Sequence, residues 1–212
     1  MVRTIIFDFD GTIANTLPFT WRRIIDYLKK EKVTDRHDEA IIEDIRTKSY
    51  SELIKHFKIS WLKIPLILFE VSRAQKDLYS VIKTIKPYED IKETLKELKS
   101  KGYKLGILSS NMKESIEEFI ELNDLQLFDF IQCKRNLFGK AAELKKIIKT
   151  YDLKKNETLY VADEVRDIEA CKKVGIKIVS VTWGFNKREL LSKYKPDWII
   201  DKPPELLSLL HS

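Results

Sequence analysis

From about residue 90 onward, short apolar runs alternate with amphipathic stretches of about ten to twelve residues, and this alternation constrains the fold more than any other feature of the chain. The runs at 104–108, 128–133, 158–162, 176–181 and 198–200 read as strands. The stretches at 90–101, 113–122, 140–151, 165–174 and 186–193 read as helices. Strands that are apolar on both faces and separated by helices predict a mainly parallel sheet covered on each side, a three-layer α/β core. The N-terminal run at 2–7 is equally apolar and β-branched, and reads as another buried strand.

Between 16 and 84 the pattern is different. Strand-like alternation is missing, and 21–32 and 39–57 are helix-like, with Pro18 and Pro65 placed where helices could open. The predicted organisation is therefore a helical insert at 15–83 within an α/β core formed by 1–14 and 84–212. Trp21, Phe57, Trp61 and Phe69 are expected in the insert's core, and Arg22, Arg23, Lys29 and Lys30 on a solvated helix face.

In a parallel sheet, ligands bind beyond the carboxyl ends of the strands. Polar groups from distant parts of the sequence fall at those ends. Asp8 and Asp10 follow the first strand; Ser109, Ser110 and Asn111 follow 104–108; Asp163, Glu164 and Asp167 follow 158–162; Lys140 opens a helix after Gly139. Asp8, Asp10 and Asp163 make a hard, oxygen-only set suited to Mg²⁺. One carboxylate can then attack phosphorus while a second, two residues on, acts as general acid and base. Lys140 and Ser109 would meet the phosphoryl oxygens, and Gly11 would let backbone N–H groups approach them. Glu164 is read as a cap for the following helix and Arg166 as an exposed helix residue.

These residues match a known pattern. Asp8-Phe9-Asp10-Gly11-Thr12 resembles the first motif of the haloacid dehalogenase-like superfamily. Leu105 to Asn111 resembles its second, Lys140 its third, and Ala162-Asp163-Glu164-Val165-Arg166-Asp167 its fourth, with Ala162 in place of the usual glycine. The resemblance covers the whole chain. It implies a Rossmann-like core with a small α-helical cap, similar to the phosphoglycolate phosphatase-like and β-phosphoglucomutase-like branch. It also implies roles. Asp8 would be the nucleophile and Asp10 the acid/base. Gly11, Thr12, Ser109, Ser110, Asn111 and Lys140 would bind phosphate. Asp8, Asp10 and Asp163 would hold Mg²⁺, with Glu164 and Asp167 behind them. The implied activity is hydrolysis of a small phosphorylated metabolite through an aspartyl-phosphate. A phosphomutase and a non-catalytic phosphate-binding protein are the alternatives, and the acid at Asp10 argues against a dehalogenase.

Composition narrows the setting. Lys plus Arg number 39 against 33 for Asp plus Glu, a net charge of +6 that suits an anionic partner without selecting one. The lysine pairs at 145–146, 154–155 and 172–173 are interspersed with acids and carry no aromatic interleaving, so nucleic acid is not expected. Gly139-Lys140 lacks the remaining residues of a Walker loop. His37, His56 and His211 are scattered and read as surface or packing residues. Cys133 and Cys171 form neither a metal spacing nor a disulfide framework, which suggests a reducing, cytoplasmic setting. No membrane-length apolar run and no signal-peptide pattern is expected from the sequence.

Overall fold

The computed structural model describes residues 1–60, 63, 77–134 and 139–211. Its centre is a six-stranded sheet of β1 (Thr4–Phe7), β2 (Lys104–Ser109), β3 (Phe130–Cys133), β4 (Thr158–Ala162), β5 (Lys177–Val181) and β6 (Trp198–Ile200). The order is β3-β2-β1-β4-β5-β6, and every pairing is parallel. Strand order reverses at β1, which has β2 on one side and β4 on the other. The crevice at such a reversal is where an open α/β sheet binds ligands.

The period-2 geometry of each strand divides the core into two layers. Ile5 and Phe7 join Leu105, Ile107, Leu159 and Val161 on one face, beneath α4 (Ile91–Ser100) and α5 (Lys113–Leu122). Ile6, Leu108, Tyr160 and Ile178 point to the opposite face. There they meet α6 (Lys140–Thr150), α7 (Val165–Val174) and α8 (Arg188–Lys193). The three-layer α/β architecture is the one expected from the alternation.

Between β1 and β2 the chain forms α1 (Leu17–Lys30), α2 (Asp38–Thr47) and α3 (Tyr50–His56). These helices share an apolar cluster of their own, built on Ile25, Leu28, Ile41 and Ile45 with Trp21 and Phe57 against it. Trp61, Pro65 and Phe69 lie outside the described residues. The two connections to the core run side by side: Asn15 N donates to Lys86 O at 2.9 Å and Tyr88 N to Ile13 O at 3.0 Å.

Several boundaries differ from expectation. The stretch 39–57 is two helices, because Ser49 and Glu52 form a reciprocal capping box that starts α3 afresh. The helix expected from residue 186 begins at Arg188, since the Asn186 side chain is occupied in accepting Val165 N at 3.0 Å. A C-terminal helix, α9 (Glu205–His211), was not expected; it follows Pro203-Pro204 and packs Leu206 into the core. Among the described residues no helix is long and apolar enough to cross a membrane.

Candidate active site

Asp8 continues β1 by one residue, with its N–H donating to Val161 O at 2.9 Å across the strand pair. That bond aims its side chain beyond the sheet edge. Oδ1 accepts Phe9 N–H at 2.8 Å and Oδ2 accepts Lys140 Nζ at 2.6 Å, so the carboxylate is held from two sides and is nearly buried. Lys140, the first residue of α6, also touches Asp167 at 2.5 Å. Burial alone would depress its ammonium, but Asp167 and Asp8 outweigh that and hold its pKa above the usual lysine value.

β4 delivers the second group of acids. Asp163 is fully buried. Its Oδ1 accepts the Thr12 hydroxyl at 3.0 Å and its Oδ2 accepts Phe185 N–H at 2.7 Å. Burial, then Glu164 and Asp8, push its pKa well above the usual range. Burial is also the first cause at Asp167, raised to about 7 with Lys140 opposing. Asp10 is raised to about 7 by burial and by neighbouring Asp8. Burial and mutual repulsion thus act in the same direction on Asp10, Asp163 and Asp167.

The polar turn after β2 completes the edge. Asn111 N–H donates to Ser109 Oγ at 2.9 Å, which leaves the serine's own proton available to a ligand. Asn111 Nδ2 reaches Asp10 Oδ1 at 3.5 Å, and its Oδ1 accepts Met112 N–H at 2.7 Å. Ser109, Ser110, Lys140 and Arg166 line an open cleft with Lys134 and Glu143.

Each residue singled out from the sequence therefore sits on this edge, yet four do so differently from expectation. Gly11, at φ +75°, directs its N–H to Ala14 O, and a Cβ there would lie 2.1 Å from Asp163 Oδ2. Glycine is required at that position because Asp163 fills the space a side chain would need. Thr12 likewise serves Asp163 through its hydroxyl. Glu164 occupies the N-cap position of α7 but makes no side-chain cap bond. It accepts Tyr50 Oη at 2.7 Å and Arg166 Nη2 at 2.5 Å. Arg166 is correspondingly more than half buried and paired, not exposed. Among the described residues, side-chain oxygens of Asp8, Glu164 and Asp167 lie within 4.8 Å of one another. Asp163 stands beside them with its oxygens accepting the Thr12 hydroxyl and Phe185 N–H.

The loop after β5 was missed altogether. Trp183 Nε1 donates to Thr12 O at 3.1 Å, and Asn186 N donates to Asp163 O at 3.2 Å. A Cβ on Gly184 would lie 2.1 Å from Asp163 Cβ. Arg46 of the helical insert donates to Gly184 O at 3.2 Å. The only sequence signal was a glycine between two aromatics, which has no local meaning without the fold.

Known proteins resemble this chain along nearly its whole length. The sequence profile described as haloacid dehalogenase-like hydrolase matches residues 5–181. The chain is 32% identical over 208 residues to a phosphoglycolate phosphatase of Synechococcus elongatus, covering 97% of this chain and 96% of that one. It is 28% identical to the pyrophosphatase PpaX of Bacillus mycoides, covering 99% and 97%. A solved hydrolase of the haloacid dehalogenase-like family from Streptococcus pneumoniae superposes with a TM-score of 0.77 at 21% identity, over 99% of this chain and 98% of that one.

Proposed function

Because the chain belongs to the haloacid dehalogenase-like hydrolase family, we propose that it is a phosphatase that hydrolyses a small phosphomonoester by transfer of the phosphoryl group to Asp8. The observation that carries this reading is the placement of Asp8 against Lys140 at 2.6 Å, at the sheet's reversal point, with Asp10 two residues on. The Asp8 carboxylate attacks phosphorus in line as the bond to the leaving oxygen breaks. Phe9 N–H and Lys140 fix its plane beforehand, so orientation is settled before substrate arrives. Lys140 and the Ser109 hydroxyl hold the charge that spreads over the phosphoryl oxygens. Asp10, whose carboxyl burial and neighbouring Asp8 make easier to protonate, gives its proton to the leaving oxygen. As a carboxylate it then takes a proton from the water that attacks the aspartyl-phosphate, releasing inorganic phosphate and restoring Asp8.

The site's chemistry fits a hard divalent cation. Asp8, Asp10, Asp163, Glu164 and Asp167 offer only oxygen donors, and Lys140 and Arg166 do not balance their charge. Mg²⁺ bound by Asp8, Asp10 and Asp163, with Glu164 and Asp167 adjoining, would supply charge neutralisation for the phosphate and the carboxylates. Residues 15–83 act as a cap over this edge, joined to the core by the paired connections at 13–15 and 86–88. Its closure excludes water from the first transfer and selects the substrate.

The test is phosphate release from an aryl phosphate, measured with Mg²⁺, with chelator, and with Asp8→Asn. Release that requires metal and is lost in the variant is expected; full activity in Asp8→Asn overturns the nucleophile. Phosphoglycolate and pyrophosphate, the substrates in the relatives' names, are the first metabolites to try.

A further inference from the structure

Glu164 is a bridge. One carboxylate oxygen accepts the hydroxyl of Tyr50, the first residue of insert helix α3, at 2.7 Å. The other accepts the Arg166 guanidinium, on the first turn of α7, at 2.5 Å. Arg166 in turn lines the cleft with Ser109, Ser110 and Lys140. A three-residue chain thus runs from the insert to the wall of the phosphoryl cleft.

The local structure holds both ends firmly. Ser49 is buried, and its capping box with Glu52 sets the direction in which α3 leaves the turn, fixing Tyr50 at the helix start. Tyr50 keeps an exposed ring while only its hydroxyl reaches inward, so the link is a single bond at the insert–core boundary. At the other end the guanidinium is planar, and a carboxylate on one edge leaves its remaining donors directed elsewhere in a fixed fan. Four further carboxylates, Asp10, Asp163, Glu164 and Asp167, share this edge with Asp8, and Glu164 is the one that engages the guanidinium at 2.5 Å.

The geometry points to Arg166 as a second cation for the transferring phosphoryl group, with Tyr50 and Glu164 as positioning residues that set its guanidinium when the insert lies against the core. This rests on the phosphatase reading above. It goes beyond it by making occupancy of the cleft depend on one hydroxyl of the insert. Tyr50 does not touch the phosphoryl group; it acts through Glu164 and Arg166.

The experiment measures binding of inorganic phosphate by calorimetry and hydrolysis of an aryl phosphate, both with Mg²⁺, for wild type, Tyr50→Phe, Arg166→Gln, Arg166→Lys and the Tyr50→Phe/Arg166→Gln double variant. Arg166→Gln is expected to weaken phosphate binding about tenfold, the scale of one charge-assisted hydrogen bond. Tyr50→Phe should weaken it about threefold to fivefold and raise KM more than it lowers kcat, with thermal unfolding unchanged. In the double variant the loss should equal that of Arg166→Gln alone, since the tyrosine acts only through the arginine. Should Arg166→Gln fail to fold, Arg166→Lys carries the test: it keeps the charge but not the fork, and its loss is expected to fall between those of Tyr50→Phe and Arg166→Gln. Unchanged phosphate affinity in the Arg166 variants overturns the cation, and losses that multiply in the double variant overturn the coupling. A wild-type protein that neither binds phosphate nor releases it from the aryl ester overturns the phosphatase reading itself, which separates the two failures.

Discussion

Asp44 in the helical insert and Asp163 at the sheet edge are both buried carboxylates, and they answer burial in opposite ways. Around Asp44 stand Arg36, Lys48 at 2.5 Å and His56 Nε2 at 3.0 Å. Burial raises its pKa, but the bonds and charges of Lys48, His56 and Arg36 prevail and the net direction is downward. Around Asp163 stand Glu164, Asp8 and Asp167, and burial and repulsion act together upward. One acid is satisfied by the chain itself. The other stands beside three further acids, with only the Thr12 hydroxyl and Phe185 N–H donating to it among the described residues. The first arrangement stabilises a helical layer, and the second keeps a site ready for chemistry.

The sharpest way to break the contrast is at Asp8. Asp8→Asn should reduce turnover about 10⁴-fold or more while circular dichroism remains that of the wild type, the scale seen when a nucleophile is removed. Next comes Gly184→Ala, which places a methyl against Asp163. Displacing that carboxylate by a fraction of its own width should lower kcat/KM about a hundredfold. Wild-type activity in this variant would show that Asp163 needs no such confinement.

The pH dependence separates the two acids by sign. Asp10 must carry a proton to serve the leaving group, so kcat with Mg²⁺ should fall as pH rises through its titration, and Asp10→Asn should abolish turnover at every pH. In metal-free protein the folded chain holds protons on Asp10 and Asp167 that the unfolded chain has lost, between the ordinary 3.8 and about 7. Stability from the sheet edge should therefore fall as pH rises across that window. Asp44 behaves oppositely: its contribution is intact above the ordinary value of 3.8 and is lost as pH drops through its lowered folded value. Thermal unfolding with chelator at pH 5 and pH 8, for wild type and Asp10→Asn, reads the difference; a variant no more stable than wild type at pH 8 would contradict it. The smallest effect is expected from Asp44→Asn. Its cationic partners are partly exposed and can hydrate, so the loss should be about 1–2 kcal/mol, seen as a lower Tm with kcat on a small substrate little changed.

The same contrast explains what could be read from the sequence. Asp8, Asp10, Ser109, Lys140 and Asp163 each follow an apolar strand or open a helix. Their convergence needs only the rule that parallel strands end on one edge. Glu164 was misjudged because its partner is remote: Tyr50 lies 114 positions away, in the insert. Arg166 was misjudged with it, since its pairing with Glu164 follows from where that carboxylate is held. Local preference placed the glutamate at a helix N-cap, which is where it stands, but its side chain answers to the insert. Gly184 and Phe185 carry no periodic signal; their importance comes from a close approach to Asp163 that only the folded chain creates. The break at Ser49 was present in the sequence as Ser-x-x-Glu, but a long amphipathic pattern concealed it.

The paired connections at 13–15 and 86–88 carry a historical consequence. Ala14 and Pro87 are bridged, so the insert departs from and returns to the core at one point. A polypeptide of almost any length can be spliced in there with little added closure entropy, because that cost grows only logarithmically with loop length. The catalytic edge can thus persist unchanged while different inserts are exchanged above it. The join between Ala14 and Pro87 is where a transplanted insert, or a short turn replacing it, would leave the sheet undisturbed.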